Sequence, residues 1–398
     1  MYNILDTLYD TPNYRAKDKQ KAIIYHTVST RPGLTRKKLA EQLALRGSTV
    51  SNLVQQLLDA GLLREGELRT NGRQGRPQIS LHPNFNRFVS IALYFVSMEL
   101  KGALLNAGHE VVAEYSVSLS KRTDHAQLTQ RIVEVINHLY DQSPPGAEVL
   151  GCGITFPGYV DTHQQRWLFA ARWPNLRNFS VRNLEHHIAL PLVCRRSLDA
   201  ELEFLLSTHP QYRTGATLLV HWGYGIGSSF AYQGEIIQPA AGGFGEIGHV
   251  DLCHSPENLE CICGRRGCVE TEAALWAILP KLKETLDELP EAEDAFAQAF
   301  VARNLTDHPV VTHAVAAFTR AMTTLYTLLA PDRMILYGPF LNSDALFKRV
   351  QNGIFAELPA MFSNLFTVER IETGFTGDLY GATVEFFRDA YRKHLVAD

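Results

Sequence analysis

The residues best suited to do chemistry lie within one short stretch. His249 closes the segment Gly-Glu-Ile-Gly-His (245–249), and Cys261, Cys263 and Cys268 follow it with the spacing His-x11-Cys-x-Cys-x4-Cys. One imidazole and three thiolates form the donor set of a tetrahedral zinc site. Four protein ligands leave no open position, so the expected Zn2+ is structural and not a Lewis acid. Gly264 and Gly267 permit the tight turns that bring such close ligands around one ion. The competing reading is a cluster of buried free cysteines, which has no need of that glycine spacing. Cys152, Cys194 and Cys253 fall outside the motif and read as small core residues. The N-terminus shows no signal peptide, which points to the cytoplasm, where clustered cysteines mean metal more often than disulfides.

A second chemistry is electrostatic. The chain carries a net charge of −4, yet residues 1–83 hold 13 Lys/Arg against 7 Asp/Glu. A basic N-terminal module on an acidic body suggests a polyanion partner for that module alone. Lys17 to Ser29 reads as one helix, and Thr35 caps a second that carries Leu39 and Leu43. A turn through Leu45-Arg46-Gly47 leads into a third helix, whose apolar stripe is Val50, Leu53, Val54, Leu57 and Leu58. Its opposite face presents Ser48, Thr49, Ser51, Asn52 and Gln55, side chains able to approach phosphates and read base edges in a major groove. Arg46 sits where the turn would meet a phosphate. Two strands from Leu62 to Leu81 flank Gly-Arg-Gln-Gly-Arg-Pro (72–77), a wing whose Arg73 and Arg76 suit a minor groove. The whole predicts a winged helix-turn-helix that binds double-stranded DNA. A three-helix protein-interaction module is the alternative.

These sites need a frame. At 398 residues and 45% hydrophobic, the chain can bury several cores, and it has no apolar run of membrane-spanning length. From Val89 onward short strands follow one another, with a hairpin turn at Asn106-Ala107-Gly108. A helix is expected near 124–141 and a buried strand over Val149–Thr155. A similar opening recurs at Ala216–Trp222 and Ser229–Tyr232, followed by helices after 269 and over 309–329 and a strand at 334–338. Two α/β lobes flanking a cleft are the expected architecture.

Gly-Glu-x-Gly-His together with Cys-x-Cys-Gly-x-x-Gly-Cys-x-Glu resembles the ROK family of repressors, uncharacterised reading frames and sugar kinases. The resemblance extends through 154–161, 223–227, 331–338 and 377–382. It implies an actin-like ATPase duplication, and the winged helix in front resembles the family's repressor branch. The implied layout is a DNA-binding domain at 1–83 and a first lobe at 84–198, completed by a C-terminal helix at 379–398. A second lobe at 199–378 would carry the zinc motif. The implied assembly is a homodimer or tetramer, which suits palindromic operators. The implied sugar site uses Asp199, Glu246, His249 and Glu270, with Asp199 at the position of the kinases' proton-abstracting aspartate.

Two departures from the family pattern bear on function. The kinases cradle ATP phosphates with Asp-x-Gly-Gly-Thr, where this chain has Tyr94, Val96, Ser97 and Met98, and the nucleotide-contacting Gly-Gly becomes Gly338-Pro339. Bulk on a strand cannot make an amide cradle. In addition, Leu198 replaces the Asn that precedes the Asp. The expectation is therefore a repressor of carbohydrate-related genes, modulated by a sugar or sugar phosphate and without enzymatic activity. A repressor controlled by a protein partner, and an active ATP-dependent sugar kinase with a regulatory arm, are the alternatives.

Overall fold

The computed structural model describes residues 15–69, 78–170, 172–173, 175–239, 243–252, 259–362, 365–371 and 376–395. At the N-terminus, helix α1 (Ala16–Thr30) leads through strand β1 (Leu34–Thr35) into α2 (Arg36–Gln42) and α3 (Gly47–Asp59), and then into β2 (Leu63–Arg69) and β3 (Gln78–Pro83). The Thr35 hydroxyl accepts from the Lys38 amide and starts α2. The apolar stripe of α3 buries Val50, Leu53, Val54 and Leu57 against Ile24, Val28 and Leu39. Leu58, expected in the same stripe, is only partly buried. The sheet runs β1-β3-β2, all antiparallel. Strand β1 was not expected from the sequence: two residues are too few to show a period, and the pairing partner Leu81 lies far along the chain. Arg73 and Arg76 lie outside the described residues.

The body repeats one sheet twice. The first lobe holds β4 (Phe88–Val96), β5 (Glu99–Asn106), β6 (Val111–Ser118), α4 (His125–Asp141) and β7 (Glu148–Phe156). The short β8 (Tyr159–Asp161), β9 (Arg166–Phe169) and β10 (Phe179–Ser180) form a small separate sheet, and β11 (Leu192–Arg196) returns to the main one. Helix α5 (Ser197–Thr208) crosses to the second lobe, which begins with β12 (Ala216–Trp222), β13 (Ile226–Tyr232) and β14 (Glu235–Ile236). There follow α6 (Glu270–Ala273), α7 (Leu275–Lys283), α8 (Glu293–Ala302) and α9 (Pro309–Leu329). Then come β15 (Arg333–Tyr337), α10 (Asp344–Glu357), β16 (Thr367–Arg370) and α11 (Thr376–Leu395). The sheets are β11-β7-β4-β5-β6 and β14-β13-β12-β15-β16. In each, the first three strands form an antiparallel meander and the last two add in parallel beside the first. That shared order is the signature of an internal duplication.

The last helix ties the parts together. Near its start α11 lies on α5 so closely that a side chain at Gly381 would meet the Ala200 carbonyl at 1.7 Å, a contact only glycine allows. Toward its end it turns Phe387 and Tyr391 into the core of the N-terminal module, beside Tyr25, Val28 and Phe88. The Tyr25 and Tyr391 hydroxyls pair at 2.8 Å inside this core, and Lys21 donates to the His394 carbonyl at 3.2 Å. Module and body thus share one continuous hydrophobic core.

Phe387 is 1% exposed in that shared core. Phe387→Ala is expected to cost about 3–5 kcal/mol through the cavity it leaves. Urea unfolding followed by tryptophan fluorescence should show a lower midpoint, and limited proteolysis should release the N-terminal module early. An unchanged midpoint and cleavage pattern would contradict the shared core.

Candidate functional site

Between the lobes lies a cleft of about 330 Å3, and His249 of the histidine–cysteine set forms part of its wall. His249 Nδ1 sits 3.4 Å from Cys261 Sγ, and the Cys263 and Cys268 sulfurs are 3.7 Å apart. All four donor atoms lie within 4.8 Å of one another. Metal–sulfur bonds of about 2.3 Å in a tetrahedron put sulfurs about 3.8 Å apart, so the residues fit one ion. The loop is folded by its own backbone. Cys261 N–H donates to the Arg265 carbonyl at 2.7 Å, while Gly264 and Gly267 take φ values of +86° and +78°. Arg265 donates to the His249 carbonyl at 2.7 Å, which fastens the loop to Gly-Glu-Ile-Gly-His. Burial works against the Cys263 thiolate, but hydrogen bonds from Arg265 outweigh it and lower the pKa. Cys152 and Cys194 are buried core residues, and Cys253 lies outside the described residues.

The four residues expected in the sugar site do not all face the cleft. Glu246, His249 and Glu270 line it; Asp199 is not among the lining residues. Asp199 Oδ1 accepts from Ser229 Oγ at 2.7 Å and from Arg196 at 3.4 Å. Arg196, itself 6% exposed, also donates to Glu246 at 3.0 Å and to the Ser228 carbonyl at 2.8 Å. A guanidinium that lines the cleft is therefore in contact with the carboxylate expected to act as base. Sequence reasoning missed Arg196, because two of its partners, Glu246 and the Ser228 carbonyl, lie far along the chain. Glu270 is also engaged: it accepts from the Ile226 amide at 2.8 Å and from the Trp276 indole at 3.0 Å. Leu198 lines the cleft where an amide was expected from the resemblance.

The other half of the cleft is where the resemblance puts nucleotide phosphates. Val96 and Ser97 face it, and Ser97-Met98 is a two-residue turn between paired Val96 and Glu99, with Ser97 at φ +51°. Val96 and Met98 put side-chain bulk at and beside this turn, where the resemblance implies glycine amides open to a phosphate. Tyr94 packs beside Leu105 and Tyr380. Gly338 and Pro339 also line this half, together with Glu201, Glu293 and Asp378. His221 bonds Glu293 at 3.1 Å. Burial alone would lower the His221 pKa, but Glu293 and Glu201 more than offset it and raise it. Glu201 feels the His221 charge only at longer range, since His221 is hydrogen-bonded to Glu293. Burial pushes its carboxyl up to about 7, against hydrogen bonding from Tyr337 and the charge of His221. Asp378 is likewise pushed well above the usual carboxylate range by burial and then by Glu201.

On the N-terminal module, Arg46, Ser48, Ser51, Asn52 and Gln55 are exposed along one face of α3, and Thr49 is half-buried. Two amides on this face are held within the helix: Gln55 donates to Asp59 at 2.9 Å and Gln56 to Asn52 at 2.6 Å. Asp59 adds an acidic group at the helix end that the sequence reading left out of the face.

Residues 97–382 match the family model described as the ROK family. The DNA-binding transcriptional repressor Mlc of Escherichia coli (strain K12) is 22% identical over 381 residues, covering 92% of this chain and 93% of that protein. A glucokinase from Halalkalibacterium halodurans is 25% identical over 271 residues, covering 63% of this chain and 81% of that enzyme. Among solved structures, a ROK family transcriptional regulator described as a homolog of E. coli MLC superposes with a TM-score of 0.70 at 18% identity, covering 95% of this chain and 98% of that one. At that identity the superposition speaks for the fold. No described helix is long and apolar enough to cross a membrane.

The raised Glu201 carboxyl has a pH consequence. Folding raises its pKa from 4.5 to about 7, so the stability it contributes is full below the unfolded pKa and is lost as pH rises through the folded one. Thermal unfolding of the metal-saturated protein is expected to show a midpoint that declines from about pH 5 to 8, with a flatter profile for Glu201→Gln. Parallel profiles for the two proteins would refute this.

Proposed function

Since the chain belongs to the ROK family, we propose that it is a DNA-binding transcriptional repressor of carbohydrate-related genes, with a cleft that senses a small-molecule effector and transfers no phosphoryl group. In this reading the N-terminal module is a winged helix-turn-helix. Helix α3 enters the major groove with Ser48, Thr49, Ser51, Asn52 and Gln55, Arg46 meets a phosphate, and Arg73 and Arg76 of the wing meet the minor groove. The repressor relative supports this, and so does the exposure of the polar face of α3.

One observation carries the negative half of the proposal: Asp199 is bonded to Arg196 and Ser229 and does not line the cleft. A general base must reach the proton it takes. An aspartate that is ion-paired to Arg196 and absent from the cleft lining is poorly placed to take that proton. The two-residue turn at Ser97-Met98 removes the phosphate seat as well, and phosphoryl transfer depends on positioning above all. What remains suits binding. Glu246 and Glu270 can accept from hydroxyl groups. The metal proposed for His249, Cys261, Cys263 and Cys268 is structural Zn2+. With Nδ1 committed to the metal, the Nε2 atom of His249 is left for the ligand.

Occupancy would reach DNA through α11. Its first turn carries Asp378 on the cleft wall, and its last turns carry Phe387 and Tyr391 in the core of the DNA-binding module. A ligand that closes the lobes displaces the start of a rigid helix and so re-aims α3. In a homodimer or tetramer that changes the spacing between recognition helices, and a coupling on the order of 1–3 kcal/mol suffices for regulation.

The test is selection of genomic DNA bound by the full chain, followed by operator titrations with hexoses, pentoses and their phosphates. Operator binding is expected to weaken for Arg73→Ala and for Arg76→Ala, with the log–log salt slope falling by about one per lost phosphate contact. At least one ligand should shift operator affinity, and ATP with that ligand should yield no sugar phosphate. ATP-dependent phosphorylation abolished by Asp199→Asn would overturn the reading. For the metal, Cys263→Ser is expected to lose stoichiometric zinc by elemental analysis and to melt at lower temperature. A stable, zinc-free variant with unchanged operator affinity would remove the metal's structural role.

A further inference from the structure

The carboxylates in the half of the cleft away from His249 are arranged for a positive charge. Glu201 is 4% exposed and Asp378 7% exposed, and both line the cleft. Glu201 Oε2 is buried with no hydrogen-bond partner, although a buried carboxylate oxygen left unsatisfied is costly. The nearby cations are engaged elsewhere. Arg196 is spent on Glu246, Asp199 and the Ser228 carbonyl. His221 is paired with Glu293, and the Arg172 guanidinium lies over the Tyr224 ring at 3.9 Å. Glu201 and Asp378 thus face the cleft without a counterion between them. They do not form a metal site: among the described residues, the only group of three or more potential ligands close enough to hold one ion is His249 with Cys261, Cys263 and Cys268.

We propose that the effector carries a protonated amine, which docks between Glu201 and Asp378 and donates to the orphaned Glu201 oxygen, while its hydroxyl-bearing part lies toward Glu246, His249 and Glu270. This rests on the effector reading above and narrows it: this half of the cleft offers a phosphate ester two buried carboxyls and no free cation, so a sugar phosphate is the wrong ligand class. Because Asp378 belongs to the first turn of α11 and Gly377 beside it leaves room for the Glu201 side chain, the ammonium would contact the helix that leads to the DNA-binding module.

Calorimetry on the full zinc-loaded chain can test this with D-glucosamine, D-glucamine, D-glucose, glucose 6-phosphate and Mg2+ as probes. At least one amine is expected to bind roughly tenfold more tightly than glucose or glucose 6-phosphate, the worth of a single compensated charge. Its binding should release protons, read from the dependence of the heat on buffer ionisation, as the ammonium drives Glu201 and Asp378 toward their charged forms. Glu201→Gln is expected to erase the preference for amine over glucose, and Asp378→Asn provides the same reading if the first variant fails to fold. Equal affinity for glucose and the amines, tighter binding of glucose 6-phosphate, displacement of the amine by Mg2+, or a preference that survives both substitutions would overturn the proposal. So would a failure of every probe to bind. Glucose binding that shifts operator affinity without any amine preference would sink this inference and leave the effector reading intact. An amine that binds as described and leaves operator affinity unchanged would do the reverse.

Discussion

The buried guanidinium of Arg196 organises the centre of this molecule. A cation at 6% exposure cannot be left unpaired, and it meets that demand by joining three parts of the chain: Asp199 at the start of α5, Glu246 in the loop leading to the metal set, and the Ser228 carbonyl on β13. Removing both carboxylates would strand a buried charge, and removing either would leave the guanidinium with one ion pair and the Ser228 carbonyl. Asp199 and Glu246 sit in the arrangement that satisfies the arginine, and that arrangement takes Asp199 out of the cleft. On the proposed reading, the lack of a base would follow from how the interior is neutralised.

The same logic links the metal set to the cleft. Gly-Glu-Ile-Gly-His supplies Glu246 to Arg196 at one end and His249 to the cysteine cluster at the other. A metal held by His249, Cys261, Cys263 and Cys268 would pin the far end of a five-residue segment whose near end is already ion-paired. Both side chains would then reach the cleft from a backbone fixed on either side, which is the preorganisation a binding site needs and which a loop alone rarely supplies.

Legibility in the sequence followed the range of the interactions. The cysteine spacing is local chemistry, so the motif led directly to a cluster whose donor atoms lie within 4.8 Å of one another. The stripe Val50, Leu53, Val54, Leu57 is a helical period, and the helix boundaries came out within a few residues. The repeated strand-rich openings at 89 and 216 foretold two lobes, while the matching strand order in both sheets appeared only in the fold. What stayed hidden was assembled from distant positions. Glu201, Glu293 and Asp378 share no motif, yet the duplication and α11 bring them to one wall. Arg196 looked like an ordinary strand residue, and the resemblance that marks Asp199 gives no sign of its bonds to Arg196 and Ser229.

If the chain transfers no phosphoryl group, as proposed, it would keep the mechanical part of catalysis without the chemistry. Lobe closure around a ligand is useful to a kinase because it excludes water and aligns phosphates. Without an amide cradle and a free base, the free energy of closure has no reaction to drive and is available for moving another element. Here that element is α11, seated by a glycine contact on α5 at one end and by Phe387 and Tyr391 in a second core at the other. A helix clamped at both ends by close packing transmits displacement better than it absorbs it. On the proposed reading, conversion from transferase to sensor would require few changes at the cleft and one long helix running from the cleft wall to the N-terminal module.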